Sequence, residues 1–386
     1  MRRTLVVADV HLTRQTPRPV VADLARLFTE HPGARVYVAG DLFDRSAEAA
    51  PTPSVEEVLG AHPSLAPALG EHLECGGELR LAAGNHDADV GREGFGDTLA
   101  RALRLGPEAR ARLSTTPWFF RDGGLHLEHG HVFDPDNAPG HPLVHGAPSL
   151  GVRFVHDFIA PTGAYAYLNR NDKLPLDLFT EAFTRYGARG PHVVATFFRA
   201  SFAALANAGP FYDLDAERAS GDALLDAFAL GADVSADALR GLLSAQEAPT
   251  LARLGDTFAR LYLDRVTFTM ALLGSLGLAA TGRRRAALAL AAVGMGCMLS
   301  SWAAGHNRYA GRVVTRLAEG ARLVAGATGA SLVVLGHAHS PEITERYANP
   351  GTFSFSPGES RTFLELHSAG DRVTATLRAL RKSATS

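Results

Sequence analysis

Short apolar runs alternate with helical periodicity over the first 135 residues. Leu5–Ala8 is an apolar run that meets a charge at Asp9, and Val20, Val21, Leu24, Leu27 and Phe28 then recur at helical spacing until His31-Pro32-Gly33 stops the pattern. Val36–Ala39 reads as a second strand. Ser54-Val55-Glu56-Glu57 has the form of a capping box and opens another helix. Leu79–Ala83 and Leu125–Glu128 read as a third and a fourth strand. Strands alternating with helices predict an α/β layered sheet. Between about 150 and 265 the strand pattern vanishes, and 176–186, 192–208, 222–230, 236–245 and 249–264 all read as helices. Phenylalanine is concentrated there: 11 of the 20 fall between 151 and 270, which predicts an apolar groove or a helical core of its own. Val313, Val314, Leu317, Ala321 and Val324 mark a later helix and Ser331–Leu335 a fifth strand. Arg361–His367 and Arg372–Leu380 form a hairpin around Ala369-Gly370-Asp371. The pattern predicts an α/β fold that starts, pauses for a large helical insertion and resumes: 1–140, then 141–305, then 306–386.

The most apolar stretch lies at the end of the insertion. Val266–Gly282 and Ala286–Ala304 carry no charge over 17 and 19 residues, and Arg283-Arg284-Arg285 separates them. Each is close to the roughly 20 residues that cross a bilayer, and both are rich in the small residues that suit close helix packing. Three arginines at the tip run against the positive-inside rule, but Arg260, Arg265, Arg308 and Arg312 at the other end outnumber them. This favours a membrane-inserted hairpin, 266–304, anchored from the cytoplasmic face. A hairpin buried in protein is the alternative.

Composition narrows the classes. A length of 386 residues fits two or three domains, or one with a large insertion. With 46% hydrophobic and 20% charged residues the chain is neither disordered nor fibrous. A net charge of −2 leaves no basic footprint for nucleic acid. Cys75 and Cys297 are too few for a disulfide scaffold or a zinc ribbon and read as inert. The N-terminal apolar run is too short for a secretory signal, which predicts a cytoplasmic protein.

Five polar clusters each follow an apolar run directly: Asp9-Val10-His11, Gly40-Asp41-Leu42-Phe43-Asp44, Gly84-Asn85-His86-Asp87, His129-Gly130-His131 and Gly336-His337-Ala338-His339. In α/β sheets, ligands bind outside the carboxyl ends of the strands, so five such ends converge on one rim. Asp, His and Asn supply oxygen and nitrogen donors that suit Mn, Fe or Zn, with no thiolate to force a softer metal. They are too many for one ion. Two ions with a bridging carboxylate are the usual arrangement for in-line displacement at phosphorus. The glycines allow sharp backbone turns.

In these blocks and their order the chain resembles the calcineurin-like metallophosphoesterases, whose pattern is D-x-H, G-D-x-x-D, G-N-H-D/E, H-G-H and G-H-x-H. Asn349-Pro350-Gly351-Thr352 is similar to the turn that often follows the last block. The resemblance covers roughly 1–135 and 306–380 and implies a metallophosphoesterase-type layered α/β sandwich. It implies that Asp9, His11 and His339 hold one metal, that Asn85, His129 and His337 hold the other, and that Asp41 bridges them. A metal-bound hydroxide then attacks phosphorus. His86 gives a proton to the leaving oxygen, with Asp87 orienting it. Asp44 stands behind the ligands, and His131 sits beside the first metal or meets it through its backbone.

The residues between the fourth and fifth blocks lie outside the resemblance. His141, His145 and His156 are either substrate contacts or solvated loop histidines. The leading expectation for function is a two-metal phosphoester or pyrophosphate hydrolase acting on a membrane-borne amphipathic substrate. Asp9-Val10-His11-Leu12 resembles the branch that cleaves UDP-2,3-diacylglucosamine, although that branch has Arg where this chain has His86. The alternatives are a soluble phosphodiesterase acting on nucleotides or small diesters, and a non-enzymatic scaffold, which a missing ligand would mark.

Overall fold

The computed structural model describes residues 2–48, 51–163, 184, 186–303, 312–354 and 360–380. Among the described residues eleven strands form two sheets. The first holds β1 (Thr4–Val7), β2 (Arg35–Ala39), β3 (Glu78–Ala82), β4 (Leu113–Thr116), β10 (Thr362–Ala369) and β11 (Arg372–Ala379), in the order β11-β10-β1-β2-β3-β4. The second holds β5 (Phe119–Asp122), β6 (Leu125–Glu128), β7 (Leu332–Leu335), β8 (Glu342–Ile343) and β9 (Tyr347–Asn349), in the order β5-β6-β7-β9-β8. β1 to β4 run parallel, as do β6, β7 and β9.

The apolar runs are continuous because these strands are covered on both faces. Leu5 and Val7, Val36 and Val38, and Leu79 and Leu81 point to one layer, closed by helices Arg18–Glu30, Leu65–Glu74 and Phe95–Ala102. Their alternates Val6, Ala8, Tyr37, Ala39 and Ala82 meet Leu125, Leu127, Leu332 and Val334 of the second sheet in a middle layer. Val333 and Leu335 face a third layer under helix Arg312–Thr328. The result is helix, sheet, sheet, helix. The capping box at Ser54 forms as expected, with Ser54 Oγ accepting from the Glu57 amide and Glu57 reaching back to the Ser54 amide. β4, β5, β8 and β9 add strands that the apolar pattern did not mark.

The chain forms two compact units, one of Met1–Tyr165, Asp213–Pro249 and Arg312–Ser386, the other of Ala166–Tyr212 and Thr250–Gly311. The insertion expected over 141–305 is therefore not one body. Residues 213–249 join the α/β unit because Leu225, Ala229, Leu239 and Leu242 pack in the same apolar layer as Leu317, Ala321 and Val324. Phe228 belongs there too, stacked on Trp118. Of the expected helix 176–186, all but 184 and 186 lie outside the described residues, as does Arg308.

The second unit contains helix Gly190–Leu205 and the hairpin of helices Leu263–Ala280 and Arg284–Ala303. The two hairpin helices run antiparallel along a seam of small residues. Ser275, Ala287, Gly294 and Ser301 are buried, and a Cβ on Gly294 would stand 3.1 Å from Ala271 and 3.4 Å from Phe268. Outside the seam, Met270, Leu273, Leu276, Leu288, Leu299 and Trp302 are exposed. Both helices are long and apolar enough to cross a membrane, and only 11% and 17% of them is buried.

Candidate metal centre

Five loops carry the polar blocks, and they leave the ends of β1, β2, β3, β6 and β7, so the rim is built from both sheets. Backbone contacts zip the first two loops together: the Val10 and His11 amides donate to the Asp41 carbonyl at 3.0 and 2.9 Å, and the Asp44 amide donates to the Leu12 carbonyl at 3.0 Å. The closing turn ties in the last loop. Asn349 Nδ2 donates to the Gly336 carbonyl at 2.7 Å and Thr352 Oγ1 to the Asp9 carbonyl at 3.0 Å.

The backbone is strained where the donors sit. Asp9, His11, Asp41, His337 and His339 all have positive φ, between 48° and 64°. Such a conformation costs a non-glycine residue about 1–3 kcal/mol, and strain of this kind clusters at functional sites. The glycines serve close approach as well as turning. A Cβ on Gly84 would stand 2.0 Å from Asp41 Oδ1, one on Gly40 2.4 Å from the His129 ring, and one on Gly336 2.8 Å from the Ala39 carbonyl.

Three sets of ligand atoms lie within 4.8 Å of one another: Asp9, His11 and His339; His11, Asp41 and His86; Asp9, Asp41 and His129. The first is the set that the resemblance implies for one metal. His339 Nε2 lies 3.1 Å and His11 Nε2 3.7 Å from Asp9 Oδ1, and the two imidazole nitrogens face each other at 3.2 Å. His11 Nδ1 is 3.3 Å from Asp44 Oδ2, which places the proton of the neutral ring on Nδ1 and leaves Nε2 for a cation. Asp9 Oδ1 is buried and makes no hydrogen bond of good geometry. An orphaned carboxylate oxygen faced by two imidazoles fits a divalent ion.

At the second position His129 Nδ1 donates to the Ala39 carbonyl at 2.9 Å, while its Nε2 lies 3.0 Å from Asn85 Oδ1 and 3.2 Å from Asp41 Oδ2. His337 stands beside this group, its ring centroid 5.0 Å from that of His129, and its Nε2 is taken by Asp134 Oδ2 at 2.9 Å. Any ligation by His337 must therefore use Nδ1. Asp134 and its partner Asn137 escaped the sequence reading. The only local cue is the Asp-Pro-Asp-Asn turn that follows His131.

Asp44 stands behind His11 as expected, and it also takes the task expected of Asp87. His86 Nδ1 bonds Asp44 Oδ1 at 3.0 Å. Asp87 accepts instead from the amides of Gly84 at 2.8 Å, Asp41 at 3.2 Å and Phe43 at 3.2 Å. Asp87 thus clamps the second loop to the third, and Asp44 orients His86. His131 is buried 5.3 Å from the His129 ring and belongs to none of the three ligand sets. His141 is buried too, accepting from the Leu143 amide, whereas His145 and His156 are exposed.

Charge burial sets the electrostatics. Burial pushes the Asp9, Asp41 and Asp44 carboxyls up, but the surrounding imidazoles outweigh it and hold all three below the usual carboxylate range. Burial and the neighbouring Asp41 push Asp87 up to about 7. His129 rises to about 9: burial opposes its charge, and Asp41 and Asp9 more than restore it. Burial lowers His131 well below its ordinary value, with His129 and His337 adding to the effect. The carboxylates that hold protons on these imidazoles equally attract a divalent cation, whose binding releases those protons.

The family model for calcineurin-like phosphoesterases matches residues 2–196, half of the chain. It includes four of the five polar blocks and ends before His337 and His339, which the fold returns to Asp9 and Asp134. No curated protein matches the chain. By its family match and its buried Asp/His groups, the chain belongs to the calcineurin-like phosphoesterases, a family of metal-dependent phosphoester hydrolases.

Proposed function

We propose that this protein is a dinuclear phosphoester or pyrophosphate hydrolase held at a membrane, acting on an amphipathic substrate borne by that membrane. The observation that carries the reading is the sharing of Asp9, His11 and Asp41 among adjoining ligand groups, which suits two neighbouring cations better than one. Asp9, His11 and His339 hold one ion, Asn85, His129 and His337 the other, and Asp41 lies between. Manganese suits this oxygen and nitrogen set, and iron or zinc is compatible with it. Two such ions supply Lewis acidity toward the phosphoryl oxygens and acidify the attacking water. His86, oriented by Asp44, donates a proton to the leaving oxygen.

The exposed hairpin supports the membrane part of the reading. A helix that is apolar all round belongs in a protein core or a bilayer, and little of this pair is buried in its own chain. The exposed Arg283, Arg284 and Arg285 at the tip reach headgroups. Entry from the cytoplasmic face follows from the basic residues at the base, among them Arg260 and Arg265. The substrate class is a lipid-linked phosphoester or pyrophosphate, related to the UDP-diacylglucosamine type but read by a different third block.

Turnover and metal content of His86→Ala test the chemistry. The expected result is a loss of about 10²–10⁴-fold in kcat, the range of a positioned general acid, with bound metal retained. Unchanged turnover would remove His86 from the reaction.

A further inference from the structure

We propose that Asp134 and Asn137 are positioning residues that orient two ligands, His337 and Asn85, of one metal position. The inference rests on the metal reading above and concerns only how the chain presents its donors.

The argument is one of hydrogen-bond direction. Asp134 is buried, its Oδ2 lies 2.7 Å from Asn137 Nδ2 and 2.9 Å from His337 Nε2, and its Oδ1 accepts the Asp136 amide at 3.2 Å. A carboxylate only accepts, so both partners must turn an N–H toward it. Asn137 then has to present its carbonyl on the other side. There Oδ1 accepts from Asn85 Nδ2 at 3.1 Å and from Ser149 Oγ at 3.5 Å. With its amide nitrogen spent on Asn137, Asn85 directs Oδ1 toward His129 Nε2, 3.0 Å away. One buried charge thereby fixes the orientation of two amides and the protonated nitrogen of one imidazole. In His337 this leaves Nδ1 for a cation; in Asn85 it leaves the carbonyl oxygen.

The following segment is shaped around this chain. A Cβ on Gly151 would stand 2.1 Å from Asn137 Oδ1, and the Gly151 amide donates to the Asp136 carbonyl at 2.9 Å. The other metal position is ordered by different residues. There His11 is oriented by Asp44, and the Asp9 carboxylate is met directly by His339 and by the His337 amide at 3.0 Å. The two positions therefore respond differently to changes at 134 and 137.

Calorimetric titration of the full chain with Mn, together with a count of bound metal, tests this on Asp134→Asn and Asn137→Ala. The expected result is one Mn bound as tightly as in the parent and the other about 10–100-fold more weakly, the range for removal of an orienting partner. Excess Mn then restores most of the turnover, which it would not do for a merely destabilised fold. If Asp134→Asn does not fold, Asn137→Ala carries the test, since Asn137 is only half-buried. Two Mn bound as tightly as in the parent overturn the inference, and so does equal weakening of both. A parent chain that binds no Mn overturns the metal reading itself.

Discussion

At the rim of the α/β unit carboxylates and imidazoles are withdrawn from water, whereas along the hairpin of Leu263–Ala280 and Arg284–Ala303 leucines, methionines and a tryptophan meet it. Both regions break the ordinary sorting of polar and apolar groups, in opposite directions. The difference lies in what compensates. At the rim each buried carboxylate is answered by imidazoles, by backbone amides or, in our reading, by a cation, and the backbone accepts five strained residues to keep it so. At the hairpin the small-residue seam packs the two helices against each other, and among the described residues their outer faces stay largely exposed. A buried charge is thus explained by its neighbours, and it is the exposed apolar pair that our membrane reading is proposed to explain. Departures of this kind are expected at functional sites.

The sharpest way to break the comparison is at Asp41, a carboxylate that two ligand groups share. Asp41→Ala should lower kcat by about 10³-fold or more, several kcal/mol of transition-state stabilisation. Bound metal should fall with it, as metal analysis of the purified variant would record. Retained metal with full activity would separate the buried charges from the chemistry. Next in size is the hairpin. Leu276→Asp with Leu288→Asp places two charges on its exposed face, each costing about 2.5–3.5 kcal/mol at a bilayer centre. Sedimentation with membranes should fall sharply, while hydrolysis of a soluble diester is unchanged.

Gly84→Ala comes third. Its Cβ would meet Asp41 Oδ1 at 2.0 Å, and overpacking of this kind typically costs about 1–3 kcal/mol. A lower melting temperature together with weaker Mn binding is expected, because the displaced atom belongs to a proposed ligand. The smallest effect is at Glu365, a covered carboxylate whose partners are half-exposed arginines rather than the buried imidazoles of the rim. Arg3 at 2.6 Å, helped by Arg378 at 2.9 Å, holds it below the usual carboxylate range. A depressed carboxyl stabilises the fold above its unfolded value and loses that contribution as pH falls through the folded value. Glu365→Gln should therefore cost no more than about 1 kcal/mol at neutral pH. That cost should fade below about pH 4 in denaturant titrations at several pH values.

Much of the site could be read in the sequence because each ligand block follows its strand within a few residues. Asp9, His11, Asp41, Asn85, His129 and His339 meet as the order of the blocks implies. What could not be read depends on long-range return of the chain. Asp44 and Asp87 flank the same loops and are alike in sequence. Only the fold decides that Asp44 reaches His86 Nδ1 while Asp87 turns back to three amides. Asp134 acquires its partner His337 from more than 200 residues away. β4 and β5 were missed for a local reason: Leu113–Thr116 is mostly hydroxylated and Phe119–Asp122 half charged, so neither forms an apolar run. The helix patterns of 222–230 and 236–245 are visible in the sequence, but their docking onto Leu317 and Ala321 is not, since an amphipathic face does not name its partner.

The account's central claim is a metal-dependent phosphoesterase held at a membrane by its hairpin. Fractionation of cells expressing the full chain, with Mn-dependent hydrolysis of bis-p-nitrophenyl phosphate measured in each fraction, tests it most directly. The account predicts activity that sediments with membranes, is released by detergent and is abolished by chelation. Mn-dependent activity recovered wholly in the soluble fraction would contradict the membrane reading, and activity indifferent to chelation would contradict the metal centre.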